Sequence, residues 1–439
     1  MRCLLALSLI VSAVAAAQQA PIPMNDEIGG RPFAVRDRWV IGGTGNWDYL
    51  TIDSVARQLF IAHQYEVQVV DIDTGRLAGQ VAGFEEARSI VLDPDGQFGY
   101  VSDSHADSVV IFDRRSLRAV DSIQLGCAPR SMALAAQQEL LFAFCGAVTP
   151  PPARLANLRH PRPGGSADRQ PNPTPSAEPA TGQSHVIAID LRSRSILVNI
   201  AVYGNFRIAQ ADNEGQVFVT VGAAVYNPNP QSLAATHSPP RVARIDAAAL
   251  EGEARDETAA LPKTPPAAPP SPGEAKLHWQ IGEYSVNPAV SFFRLDESCP
   301  NPQGLAIDSH NARLFVACDN QNLLVMDSVH GRVLSTLTTG PGTDAIAYDE
   351  SRGLIFTANG GGYGSITIVR QHQTDSYAVI QNLPTMERAR TMALDASTGH
   401  VYLVTDLHGA NLSDTPANGI GKLKLDMVAG SFQVLVVGN

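Results

Sequence analysis

The 439-residue sequence contains no G-x-S-x-G elbow, no H-E-x-x-H, no C-x-x-C and no Walker loop. These absences remove the usual sequence signs of serine-hydrolase, zincin, thiol-redox and P-loop chemistry. Basic residues are also short, with 32 Lys and Arg against 43 Asp and Glu and a formal charge of -11. Non-specific nucleic-acid binding rests on neutralising phosphates with Lys and Arg, so no nucleic-acid partner is expected. The acidity reads more simply as solubility. Beyond the N-terminus there is no apolar run near the roughly 20 residues that a membrane helix needs.

The N-terminus itself, MRCLLALSLIVSAVAAAQQA, carries Arg2, an apolar run from Leu4 to Val14 and small residues through Ala17. That pattern predicts a signal peptide over residues 1–17, cleaved after Ala17, and a periplasmic or secreted protein. Cys3 lies too far upstream of the cleavage point to be a lipid-attachment cysteine. Processing would remove Arg2 and leave 31 basic against 43 acidic residues, a formal charge of -12.

What is present is a repeat. The stretch CPNPQGLAIDSHNARLFVACDNQNLLVMDSVHGRVLSTLTTG, Cys299 to Gly340, holds four strand-like runs, LAID, RLFVAC, NLLVMD and RVLSTLT, separated by turn clusters. The first run recurs as LTID, IVLD, MALA, AQAD, LAID, IAYD and MALD, ending at Asp53, Asp93, Ala135, Asp212, Asp308, Asp349 and Asp395. Intervals of 40, 42, 77, 96, 41 and 46 residues follow, four near one length and two carrying insertions. A four-strand unit of about 40 to 45 residues cannot bury both sheet faces alone. The expected fold is therefore all-β, a seven-bladed β-propeller of four-stranded antiparallel blades forming a single domain over residues 18–439. PFAVRDRWVIGG and SFQVLVVGN both read as outermost fourth strands, and one of them is expected to close the last blade.

Three Pro-rich segments interrupt the array: residues 148–183, 224–240 and 250–274. The first two lie between second and third strands of units 3 and 4, and the last between third and fourth strands of unit 4. Each lacks the apolar residues that offset ordering entropy, so flexible loops are expected. The first two would overhang the face where first strands enter. Arg154, Arg159, His160 and Arg162 in the first are read as a solvated basic run.

Four cysteines remain after processing. Cys127 and Cys145 bracket the first two strands of unit 3, and Cys299 and Cys318 bracket those of unit 5. Antiparallel neighbours bring such positions side by side, which predicts disulfides Cys127–Cys145 and Cys299–Cys318 in an oxidising compartment.

The turns YVSDSHADSVVIFD, FVACDNQNLLVMD and FTANGGGYGSITIV, each leading through a strand to a glycine-containing link, resemble the YVTN repeat of bacterial seven-bladed propellers. With WDYLTID, RTMALD and the terminal SFQVLVVG, the chain is similar to YncE-like members of that family over all seven units. The resemblance implies an exported protein without an assigned reaction. It also brings a proposed nucleic-acid binding, from which this sequence departs by its acidity. Three Trp in the chain are few for the docking repeat of eight-bladed quinoprotein dehydrogenases.

Five residues before the end of each first run, the seven units carry Asp48, Arg88, Arg130, Arg207, Gln303, Asp344 and Arg390. Equivalent positions at the entry of innermost strands converge on the channel mouth. Around that ring Asp344, Arg390, Asp48 and Arg88 alternate in sign and can pair, whereas Arg130 and Arg207 have no partner in the alternation. Their planar forks suit carboxylate or phosphate, so the ring is a candidate anion-binding site. Otherwise the ring holds the blades in register and solvates the channel. His63, His105 and His408 fall in second-to-third turns of adjacent units and are of the type that holds Zn or Cu. They lack metal-ligand spacing, and solvated loop histidines are expected in their place. No cofactor is expected. The leading expectation is a non-enzymatic monomer binding a small anionic molecule or a protein at the channel face. A lactonase-like propeller hydrolase using Asp48 or Asp344, and a structural module of a cell-envelope assembly, are the alternatives. Neighbouring arginines would keep both carboxylates ionised.

Overall fold

A computed structural model describes residues 31–146, 184–202, 204–226, 236–260, 278–281, 287–411 and 424–439. The segments 1–17 and 148–183, with Arg154, Arg159, His160 and Arg162, lie outside the described residues. So do the greater part of 224–240 and of 250–274.

The unit that serves as the sequence ruler folds as read. Pro302–Asp308, Arg313–Cys318, Asn322–Asp327 and Val333–Thr338 form one antiparallel four-stranded sheet in chain order. Its inner three strands are almost wholly buried, while the fourth alternates and faces solvent. Sheets of this kind stack through apolar faces into a β-propeller. One such interface joins Trp47, Leu59 and Ile61 of the first unit to Tyr402, Phe432 and Val434 of the last.

The expectation of a seven-bladed propeller, one four-stranded sheet to each repeat unit, is corrected. Among the described residues there are six sheets of four or more strands, and units 1 and 2 share one of six strands. The cause is local. Gln58–Asp71 and Arg76–Leu92 each run on as one stretch of strand where the repeat places two, although the chain turns inside both, at Gln64 and at Gly83. Within Gln58–Asp71 the chain still doubles back, with Gln64 at φ 49 and the Ile72 N–H donating to the Arg57 carbonyl at 3.1 Å. The same bond recurs in other units, from Arg114 to Gln97, Ser328 to Ala312 and Gln371 to Gly353.

Closure is resolved by pairing. The last sheet runs Ala34–Val40, Gln433–Gly438, His400–Thr405, Thr391–Asp395 from the outside inward. The N-terminal strand is thus outermost, and the C-terminal strand, expected as a fourth strand, is the third.

Two insertions are more ordered than a flexible loop. In residues 224–240, Ala224–Tyr226 pairs with Thr236–Ser238 as a hairpin base. In place of a loop from residue 250, Ala247–Ala260 is a helix. Its Ala- and Glu-rich sequence favours that conformation, the Asp246 carboxylate accepts from the Ala249 N–H at 2.9 Å, and Leu250 and Ala254 bury one turn apart. Beyond it, His278–Ile281 adds in parallel to Ser195–Val202 and covers the outer edge of the unit 3 sheet.

Both predicted disulfides are present, with Cα separations of 5.7 Å for Cys127–Cys145 and 5.4 Å for Cys299–Cys318. No described helix is long and apolar enough to cross a membrane.

Candidate functional site

The seven ring positions all line one cavity of about 620 Å³ at the channel mouth: Asp48, Arg88, Arg130, Arg207, Gln303, Asp344 and Arg390. Backbone irregularity aims them there. In five units the first strand slips register against the second across the ring seat: between Ala87 and Ile90, Pro129 and Ser131, Phe206 and Ala209, Pro302 and Leu305, and Thr343 and Ile346. A bulge of this kind turns a side chain out of the pleat, here into the channel. Neighbouring first strands also bond directly at this level. The Tyr49 N–H donates to the Arg88 carbonyl at 3.2 Å, and the Ala345 N–H to the Arg390 carbonyl at 3.1 Å.

The alternation in sign pairs as expected on one side. Arg88 Nη1 lies 2.8 Å from an Asp48 oxygen, and Arg390 Nε lies 3.5 Å from Asp344. Opposite them, neither Arg130 nor Arg207 has an ion pair among the described residues, and the Arg207 Nε is buried without a hydrogen-bond partner. Burial, with Arg88 and Arg207 nearby, lowers the pKa of Arg130, which marks a crowd of positive charge. Five arginines and three aspartates line the cavity of a protein whose net charge is negative.

The carboxylates differ from the expectation that neighbouring arginines fix their charge. Asp48 keeps a quarter of its side chain open to the cavity, yet burial pushes its pKa up to about 6 against the pull of Arg88, and Asp344 adds to the rise. Burial raises Asp344 as well, against Arg390 and Arg207. Desolvation in a narrow channel outweighs the attraction of the two guanidiniums near each, Arg88 and Arg390 for Asp48 and Arg390 and Arg207 for Asp344.

Several lining residues were not singled out by the repeat. Tyr49 reaches across the channel, its hydroxyl 3.4 Å from the Arg207 carbonyl, and burial raises its pKa strongly. Glu86 binds Arg88 at 2.7 Å. Arg388 lies over the Trp47 ring at 5.2 Å and bonds His408 at 3.0 Å. Glu86 and Arg388 sit two residues before the seats of Arg88 and Arg390. Aligning that second position across the units would have found them. A side cavity of about 250 Å³, lined by Asn46, Trp47, Gln64 and Glu86, adjoins at Asp48 and Arg88.

The three histidines do not share a focus. His63 is buried and stacks on Phe432 with ring centroids 4.2 Å apart, and burial lowers its pKa. It lies within the strand and not in a solvated turn. His105 is exposed beside Glu86 at 3.3 Å, and His408 sits 3.0 Å from Asp406. No group of three or more metal-ligating side chains occurs among the described residues.

The insertions of units 3 and 4 leave from this face. Gly146, just before residues 147–183, packs against the Arg130 guanidinium, and the second-to-third turn residues Asp319, Gly360 and Gly361 line the cavity.

No family model matches the chain, and no curated protein matches it. Solved structures do. The structure of U3-55K is similar with a TM-score of 0.57 at 8% identity, over 92% of this chain and 99% of that one. The RRP9 WD40 repeats give 0.57 at 9% identity, over 92% and 98%. A chain of a mitotic checkpoint complex gives 0.56 at 10% identity, over 98% of each. These are WD40-type propellers, and at such identities the likeness shows the fold alone.

Proposed function

We propose that the chain is an exported, non-catalytic propeller of the YVTN, YncE-like kind that binds a small anionic molecule at the channel mouth. One observation carries this reading: Arg130 and Arg207 line the cavity without carboxylate partners among the described residues. A buried guanidinium without a counter-ion is costly, and a carboxylate or phosphate bound through its fork removes that cost. Seven repeat units supply seven seats, and Asp48, Arg88, Gln303, Asp344 and Arg390 complete the wall. Export is supported by the signal-like residues 1–17 and by two disulfides, which suit an oxidising compartment.

The test is calorimetry with small carboxylates and phosphates on the purified protein and on Arg130→Gln, Arg207→Gln. Hydrogen bonds to charged groups contribute about 1.5–3 kcal/mol, so each substitution should weaken binding about tenfold or more. An unmutated protein that binds none of these anions ends the proposal.

A second reading draws on Asp48 alone. A carboxylate poised near pKa 6 in a cavity beside Tyr49 suits general acid or base work, as in a lactonase-like hydrolase. Lactone hydrolysis lost in Asp48→Asn would favour it over simple binding.

A further inference from the structure

Arg88 is the neighbour of Arg130 in the ring, and Arg130 the neighbour of Arg207. All three line the same cavity. Arg88 differs in being held, by Asp48 at 2.8 Å on one side and Glu86 at 2.7 Å on the other. Asp48 therefore occupies a guanidinium that the cavity otherwise turns toward a ligand. We propose that a bound anion takes Arg88 away from Asp48, so that capture by Arg88, Arg130 and Arg207 is coupled to uptake of a proton by Asp48.

This inference rests on the anion site proposed above. Its chemistry is competition: two anions cannot both be satisfied by one fork, and the loser must be solvated, repaired or protonated. Asp48 is placed for the last of these. It faces Arg88 from unit 2, Asp344 from unit 6 and Arg390 from unit 7, with Tyr49 beside it on its own strand and Glu86 and Arg388 in the adjoining side cavity. Losing Arg88 leaves it near a second carboxylate, Asp344, whose own partner is the more distant Arg390 at 3.5 Å. Burial already raises its pKa to about 6. Removal of its closest cation moves it further toward the neutral acid.

Sulfate is the appropriate probe because its charge does not change between pH 5 and 8. The proposal expects sulfate to bind the unmutated protein several-fold and up to about tenfold more tightly at pH 5 than at pH 8, tenfold corresponding to a one-unit rise in the Asp48 pKa on binding. Calorimetry near pH 6.5 in two buffers of different ionisation enthalpy should register proton uptake with binding. Asp48→Asn should bind sulfate at pH 8 about as well as the unmutated protein does at pH 5, with no slope between them. The slope belongs to Asp48, so His105→Gln, beside Glu86, and His408→Gln, beside Asp406, should retain it. Sulfate binding that is equally tight at pH 5 and pH 8, or a slope that survives Asp48→Asn, overturns the coupling and leaves the anion site standing. Absence of sulfate binding at both pH values overturns the site as well.

Discussion

Asp395 ends the first strand of the last unit and ties that unit to the first. Its carboxylate accepts from Ser54 Oγ at 2.7 Å and Arg57 Nη1 at 2.7 Å across the junction, and from Ser397 Oγ at 2.6 Å and Thr398 Oγ1 at 2.9 Å in its own turn. The side chain is fully buried. Burial pushes its pKa up, but the bonds from Ser397, Ser54, Arg57 and Thr398 together outweigh burial and hold it well below the usual carboxylate range. Asp395→Asn removes the charge and half of the acceptor capacity while keeping the shape. Breaking a buried ion pair costs about 3–5 kcal/mol, and Arg57 retains Asp73 at 2.8 Å, so a loss of about 3 kcal/mol is expected at pH 7. Urea unfolding of the two proteins measures it. A group with a depressed folded pKa stabilises above its unfolded value, near 3.9, and loses that contribution as pH falls toward the folded value. The gap between the two proteins should therefore hold from pH 7 to about pH 5 and narrow below pH 4. A gap under about 0.5 kcal/mol at pH 7, or one that is unchanged at pH 3, refutes the reasoning.

Removing either disulfide, as Cys127→Ala with Cys145→Ala or Cys299→Ala with Cys318→Ala, should cost about 3 kcal/mol by the loop-entropy argument for separations of 18 and 19 residues, and the same urea experiment reads it. Gly304 follows the Gln303 seat, and a Cβ there would collide with the Asp344 carbonyl oxygen and crowd Ile346. Gly304→Ala should accordingly destabilise by about 1–3 kcal/mol and weaken anion binding by displacing two seats of the ring.

The propeller was legible because each recurring first strand is followed by a second strand that is almost wholly buried, as in Leu140–Cys145 and Leu354–Asn359, where the apolar pattern has no freedom to drift. The cysteine pairs could be read for the same reason, since both bracket the same two strands. Sheet count was not legible. Units 1 and 2 share a sheet across QYEV and AGFEEA, where Gly83 at φ 104 is the one turn signal and Gln64 takes φ 49 without being a turn residue. The helix Ala247–Ala260 was hidden by its neighbours: the Pro-rich residues beyond it set the composition of the insertion, while Ala247, Leu250 and Ala254 carry the signal for packing.

The site divides along the same line. Which residues meet in the cavity follows from repeat arithmetic, because equivalent seats on equivalent strands must converge. What charge they hold there does not. The sequence places an arginine beside each of Asp48 and Asp344, and pairing alone argues for ionised carboxylates. Convergence also takes those carboxylates out of water and brings them toward one another, and that cost grows with how tightly the ring closes, a quantity no unit contains by itself. The unpartnered arginines of units 3 and 4 have the same origin. Seven seats cannot alternate in sign around a closed ring, so at least one pair of neighbours must match in charge or include a neutral seat. In this chain the mismatch is concentrated at Arg130, Arg207 and the neutral Gln303, and the cavity is positive there for that reason.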